Sequence, residues 1–592
     1  MTRNLGIVAI AIAASMLPAF QTQAGQDQMK VGTIDQEMST FYDESDGLPS
    51  VKVHDIAITK DGTVWAATAE GLAYFQNDTW GTVERFSGES VPLLAADGQS
   101  LAVIFRGALH FLAMDTPVAS LPPTVSASED VHCLVFANGV YVGTKEGLYV
   151  LKVNRLEPVE GLNALLGGGR SVRDVACGPN GELAAATASG LFYSGDGGEW
   201  EALFPEDGRR CWAPEDGRSV LFDSKGRLWF ASPQGAGCMS DGWTLYTGRD
   251  GLPYNDFTSM AAGSDGTVYF GTHIGAIRYD GAHWAYRQGK RWVPDDDIRA
   301  IAVDNERRAW MATPEGVGCI WYKPMTLAEK ARFYEEEIDK YHRRTEYGYV
   351  LSVTTAEPGK KVGIQKHDSD NDGLWTSMYG AGECFAYAAT GDPKAKERAK
   401  NAFEALRFLS VVTQGGSKPN LPGFVARTVV PTDKGWNPNE EQYTAERDRE
   451  RQKHDRKWKV IHPRWPKSAD GEWYYKVDTS SDELDGHYFF YALYYDLVAE
   501  TEEEKQRVRD VVVGITDHLL EHGFNLVDWD GEPTRWAVFG PEHLNHDIDW
   551  WEERGLNSLS ILSYLVTAEH MTGDQKYREA INRLVDEHAY AA

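Results

Sequence analysis

Two acidic, glycine-bearing stretches hold the residue types that chemistry needs. The first is Asp368-Ser369-Asp370-Asn371-Asp372-Gly373, whose carboxylates at alternate positions make an oxygen-rich loop of the kind that wraps calcium. An EF-hand would carry Glu at the twelfth position, which here is Tyr379, so Asp368, Asp370 and Asp372 hold a Ca2+ ion only if other residues complete the shell. The same loop also reads as an acidic helix start, with Asp372 as cap and Trp375, Tyr379 and Glu383 along one face. A plain solvated cap stands beside both. The second stretch runs from Asp478 to Tyr488 and again enters a helix, placing Glu483, His487 and Tyr491 one turn apart. A near-neutral His beside a Tyr suits proton abstraction and return, and Asp482 and Asp485 add carboxylates; the plain alternative is a hydrogen-bonded core His. A third cluster offers Trp536 and Trp551 as stacking faces, Asn557 as a polar contact, and Arg535 as a bidentate carboxylate binder, with Arg427 a second candidate. The structural readings there are a packed Trp cluster and salt-bridged arginines.

Helices must position these residues. After Lys323-Pro324 the hydrophobic period changes from two to about 3.6. Thr326-Leu327-Ala328-Glu329 is a capping box opening a helix to about Arg344, and further helices are expected at 374–390, 394–413, 483–499, 502–522, 555–572 and 575–590. They come as hairpins, each first helix aromatic and each second helix charged. This arrangement resembles the α/α-toroid carbohydrate enzymes, which include polysaccharide lyases and unsaturated glucuronyl hydrolases. The resemblance implies that inner, aromatic helices line a sugar cleft. Under β-elimination on a uronate-containing polysaccharide, Arg427 or Arg535 would neutralise the uronate, and His487 with Tyr379 or Tyr491 would move the protons. A glycoside hydrolase using two carboxylates from Asp372, Asp482, Glu483, Asp485 and Glu553 is the rival within catalysis. Three hairpins and a lead-in helix are about half of a toroid, so the domain is expected to be incomplete, its open end exposing apolar surface that a partner or second copy would cover. The mixed-charge segment 431–475 reads as a solvated insertion or lid, or as a basic, aromatic wall.

The preceding residues read differently. From Val53 to Phe75 the chain runs strand, turn at Lys60-Asp61-Gly62, strand through Trp65, turn at Glu70-Gly71, strand. Copies recur at Asp97-Gly98, Asn138-Gly139, Asn180-Gly181, Lys225-Gly226, Asp265-Gly266 and Asp304-Asn305, making seven in all. A spacing of roughly 36 to 45 residues matches one four-stranded blade, which predicts a seven-bladed propeller over 31–322. The repeat, with Gly47-Leu48-Pro49 and Gly251-Leu252-Pro253-Tyr254-Asn255 between units, resembles the two-component regulator propeller, a family found in sensors and secreted proteins alike. The seventh copy is one strand short. The segment around Phe41 is expected to complete it by pairing with the strand that ends near Trp321.

The whole chain is thus expected to be a multidomain all-β plus all-α protein, a propeller followed by an incomplete α/α toroid at 325–592. A formal net charge of -29 over 592 residues argues against nucleic acid as a partner and leaves polysaccharide or oligosaccharide as the expected one. Residues 1–24 have the layout of a signal peptide: Arg3, an apolar run from Leu5 to Phe20, then Thr22-Gln23-Ala24. No other stretch is apolar enough to span a bilayer, so a periplasmic or secreted location is expected. Of the six cysteines, Cys211 and Cys238 are the preferred disulfide pair, with Cys133, Cys177 and Cys384 as buried thiols. A polysaccharide lyase is the leading expectation. A glycoside hydrolase and a non-catalytic glycan-binding or sensory propeller are its rivals.

Overall fold

The computed structural model describes residues 32–592 apart from 99, 114–124, 127–129, 168, 196–197, 369, 417, 419 and 442. The expected signal peptide lies outside the described residues. The chain divides into two compact units, Thr33–Met325 and a second that takes up at Thr326.

The first unit is a seven-bladed propeller, each blade a four-stranded antiparallel sheet. Blade one consists of Val53–Ile58, Val64–Thr68, Gly71–Gln76 and Thr79–Thr82. The second strands of five blades are buried along their whole length, as in Leu183–Thr187, Leu228–Ser232 and Ala309–Thr313. That explains their small Ala-Thr and Ala-Ser endings. Each terminal Thr also fixes the following turn: Thr68, Thr187 and Thr313 donate to the carbonyls of Gly71, Gly190 and Gly316 at 2.9, 2.9 and 2.8 Å. The glycine is needed because the fourth strand passes close by. Gly316 has φ +127°, and a Cβ there would overlap the carbonyl of Tyr42.

Ile34–Tyr42 supplies the outer strand of blade seven, in register with Gly316–Met325 so that Met38 faces Trp321 and Phe41 faces Gly318. The ring is therefore closed by its two ends, with the N-terminal strand covering the edge of Gly316–Met325 and taking the blade's outer position. Deleting residues 33–42 is expected to lower the propeller's melting transition by at least about 5 °C, because the paired edge and its apolar cover are lost together. An unchanged calorimetric transition would count against this closure as a stabilising feature.

All six cysteines are free thiols, which corrects the expected Cys211–Cys238 pair. Cys238 is buried opposite Trp229 within blade five, whereas Cys211 is exposed on a loop bridged to Glu206.

Among the described residues the second unit holds eight α-helices of ten residues or more: α1 Leu327–Glu337, α2 Asp372–Thr390, α3 Pro393–Val411, α4 Ala445–His454, α5 Ser481–Leu497, α6 Glu502–Glu521, α7 Arg554–Thr572 and α8 Gln575–Asp586. Six of them form the hairpins α2–α3, α5–α6 and α7–α8, with α2 against α5 and α5 against α7. No closed toroid is formed among the described residues. Stacked aromatics join the array, Phe403 on Tyr494 with centroids 4.8 Å apart and Tyr488 on Tyr564 at 4.1 Å. No helix of the described residues is long and apolar enough to cross a membrane.

The 431–475 segment is solvated along its charged helix, Ala445–His454, and anchored at its ends and centre. Its ends are tied by a ladder between Val429–Pro431 and Trp473–Tyr475. Its centre is Arg464, 1% exposed, paired with Asp478 at 2.6 Å and Asp448 at 3.2 Å, with its guanidinium 4.9 Å from the Trp458 ring. Asp448 and Arg464 are spent on these internal pairs, while the other charges of the helix Ala445–His454 stay exposed.

Candidate functional site

The starts of α2 and α5 meet. Glu483, in the first turn of α5, accepts the amides of Gly373 and Leu374 at 2.7 and 3.0 Å and so caps α2, which has no side-chain cap of its own. The approach is close enough to require glycine. A Cβ on Gly373 would overlap Glu483 and His487, and one on Gly486 would meet the Leu374 backbone at 2.8 Å. Asp372 does not cap α2 as expected. It is fully buried, paired with Arg344, and accepts from Thr428 Oγ1 at 2.8 Å and from the Val429 amide at 3.2 Å.

His487 and Tyr491 are brought together, with Nδ1 and the phenol oxygen 2.9 Å apart, but both are fully buried. His487 Nε2 lies 3.4 Å from Glu483 Oε1. Burial pushes the imidazole down to about 3 and the Glu483 carboxyl up to about 8, the latter against the two amides it accepts. Neither His487 nor Tyr491 can touch a substrate, which corrects their expected catalytic role. Tyr379 is likewise engaged, accepting from Arg343 at 2.8 Å and donating to Glu335 at 3.0 Å. Beside it, burial and the facing Glu335 carboxyl push Glu383 up to about 8.

The depressed imidazole has a consequence for stability. An unfolded His takes up a proton below about 6.5 while the buried one does not, so its contribution is full above about 6.5 and is lost as pH falls toward about 3. The helical unit's melting temperature is expected to fall across that window. His487→Gln should flatten the fall relative to wild type in melts at stepped pH. Parallel profiles would show that His487 is protonated in the fold.

Asp482 and Asp485 occupy the accessible side of the same helix. Asp482 accepts from Asn371 Nδ2 at 2.9 Å, and Asp485 accepts from Tyr564 Oη of α7 at 2.5 Å. Burial raises the Asp485 carboxyl above its usual range, and the neighbouring Asp482 adds to the rise. Phe489 continues this stripe one turn on and is exposed. Trp375 lies one turn beyond Asn371 on α2 and is 51% exposed, followed by exposed Met378 and Phe385. Leu556 and Leu559 do the same on α7, and Trp551 just before it is 64% exposed. The three adjacent helices thus present aromatic and aliphatic side chains around two half-buried carboxylates.

The arginines hold the loops. Arg427 donates Nε to the Asp370 carbonyl at 2.7 Å and to Asn371 Oδ1 at 3.1 Å. Arg535 pairs with Asp455 and lies 4.2 Å over the ring of half-buried Trp536. Asn557 is 1% exposed and donates to the Val538 carbonyl at 3.0 Å, so it supports the fold and is corrected as a substrate contact. Asp370 pairs with Lys476 and Arg427, Asp372 with Arg344, and the described residues contain no group of three or more His, Cys, Asp or Glu placed to hold a metal ion. Asp368 is half-buried at the entry to this loop. Asp370 and Asp372, two of the three carboxylates that looked like calcium ligands in sequence, are met by cations from distant segments.

Sequence reasoning missed Arg344, Lys476, Arg464 and Tyr564, whose roles depend on partners far along the chain. It also missed exposed Phe385 and Phe489. Their signal was present: aromatics at helical spacing from Trp375 and Asp485 on helices read as aromatic throughout.

No family model matches the chain, and no curated protein matches it. Among solved structures, the extracellular domain of a putative hybrid two component system from B. thetaiotaomicron is 17% identical, with 56% of this chain and 48% of that chain covered and a TM-score of 0.38. The extracellular domain of a putative one component system from the same organism is 15% identical over 48% of this chain and 40% of that one, TM-score 0.37. Virginiamycin B lyase from Staphylococcus aureus is 10% identical over 49% of this chain and 99% of that one, TM-score 0.37. The chain covers less than half the length of these two extracellular domains.

Proposed function

We propose that this is an exported carbohydrate-active protein. Its helical unit takes a polysaccharide along the exposed face of α2, α5 and α7 and hydrolyses it with Asp482 and Asp485. The observation that carries this reading is the pairing of two half-buried carboxylates on one stripe of α5 with exposed Trp375 and Phe489 beside them. Sugar rings stack on such aromatic faces, and a pair of carboxyl groups is what glycoside hydrolysis requires. Asp485, raised by burial, is the proton donor to the leaving oxygen. Asp482 is the partner base or nucleophile.

Elimination has less support, because its expected base, His487, is sealed from solvent. The leader-type sequence at residues 1–24 supports export. The toroid resemblance of the hairpins supports a glycan over another polymer. Incubation with a panel of neutral and acidic polysaccharides, read for new reducing ends, tests the proposal. Binding without cleavage across the panel would leave a glycan-binding protein.

A further inference from the structure

The propeller carries a second candidate site, independent of the helical one. Where blade seven meets blade one there is a cavity of about 390 Å³ walled by Tyr42, Phe75, Trp310 and Trp321, with Asp78 and Glu306 at its rim. Trp310 is 1% exposed and forms the floor, stacked on Tyr42 with centroids 5.8 Å apart and an 18° interplanar angle; Phe75 lies 5.0 Å from Trp310.

The repeat explains why the site arises at this seam. Blade five offers the same framework to blade six: Trp229 stands where Trp310 does, Tyr246 where Tyr42 does, Tyr279 where Phe75 does, and Trp229 Nε1 donates to Asp223 as Trp310 Nε1 does to Asp304. Three differences separate them. Blade five turns back at Ser240–Gly242 to make its fourth strand, Trp243–Tyr246. Blade seven receives its fourth strand from the chain start, so its third strand runs on for ten residues, Gly316–Met325, and Trp321 stands where Ser240 would be. Phe75 lacks the hydroxyl by which Tyr279 reaches the Gly281 carbonyl at 3.0 Å, and it tilts from Trp80 at 5.2 Å where Tyr279 stacks on Trp284 at 4.3 Å. Asp78 and Glu306 replace Ala282 and Lys225 of the other seam, which reverses the rim charge. Ring closure thus lengthens one wall, and the rim carries acids that the other blade pair lacks.

We propose that this cavity binds an organic ammonium cation, held by the half-buried rings of Tyr42 and Trp321, with buried Phe75 and Trp310 packed behind them, and by the rim carboxylates of Asp78 and Glu306. The one cation in the wall, Arg308, does not take this role. Its Nε donates to buried Asp304 at 2.5 Å and its guanidinium lies 5.5 Å from the Trp310 ring, with Glu306 at 3.3 Å from Nη1. Counting Asp304, Glu306 and Asp78 against Arg308, the surroundings are net negative. Aromatic faces attract cations through their quadrupole, and a cavity of this size accepts a ligand of monosaccharide dimensions.

The test is titration of the full chain with choline and with glucosamine, against glucose and glucuronate, followed by tryptophan fluorescence and calorimetry. Choline and glucosamine are expected to bind at least ~10-fold more tightly than glucose or glucuronate. Trp321→Ala should weaken both cations by ~10-fold or more, and Asp78→Asn, on an exposed turn whose left-handed backbone suits Asn, should do so without changing the melting curve. Glucose binding as tightly as glucosamine, no binding by either cation, or cation binding unaltered in both variants would overturn the proposal.

Discussion

Arg464→Ala is expected to destabilise the helical unit by about 3–5 kcal/mol, enough to melt the 431–475 segment at ambient temperature. The side chain is 1% exposed and its partners, Asp448 and Asp478, are almost as buried. Removing the guanidinium leaves two carboxylates in a low-dielectric interior, and the Lys459 carbonyl loses its donor. The damage should spread, because Asp478 also accepts the Arg535 amide at 2.7 Å and donates its own amide to Asp528 at 3.0 Å. Arg464→Lys keeps the charge but loses the fork that reaches both acids, so it should fall between wild type and Ala. Denaturation followed by far-ultraviolet circular dichroism distinguishes them. A variant melting within about 1 °C of wild type would show that the pair does not organise the segment.

The second large effect concerns catalysis. Asp485→Asn should lower kcat by roughly 10²–10⁴-fold, since a general acid contributes about that much. Asn keeps a side-chain acceptor for Tyr564 Oη, so the fold should be retained. Trp375→Ala should act differently, weakening substrate binding about 2- to 10-fold with kcat little changed, as expected for a stacking platform worth about 0.5–1.5 kcal/mol. If the two variants lost kcat and affinity alike, the assignment of separate roles would fail.

Much of this molecule could be read from its sequence. The blades were legible because a turn glycine, a small-residue strand and a Thr-x-x-Gly ending recur locally, and each interaction that enforces them spans only a few residues. Even the closing strand followed from counting, since blade seven was one strand short. Helix positions were legible for the same reason; the helix expected at 575–590 ends at Asp586, after which the chain turns. The site was less legible. His487 has the type and spacing of a proton shuttle, but whether it faces solvent depends on how tightly α2 and α5 cross at Gly373 and Gly486. Likewise, Asp370 and Asp372 look like cation ligands until Lys476 and Arg344 arrive from about 106 and 28 residues away. Periodicity reports a residue's face on its own element, and long-range pairing decides what that face meets.

The most direct measurement follows two signals on each polysaccharide of the panel: new reducing ends, and ultraviolet absorbance of a conjugated enoate at a new non-reducing end. The account predicts reducing ends without absorbance for at least one glycan, lost in Asp485→Asn and retained in His487→Gln. Absorbance that rises with the reducing ends, or activity that survives Asp485→Asn and vanishes in a folded His487→Gln, would contradict it.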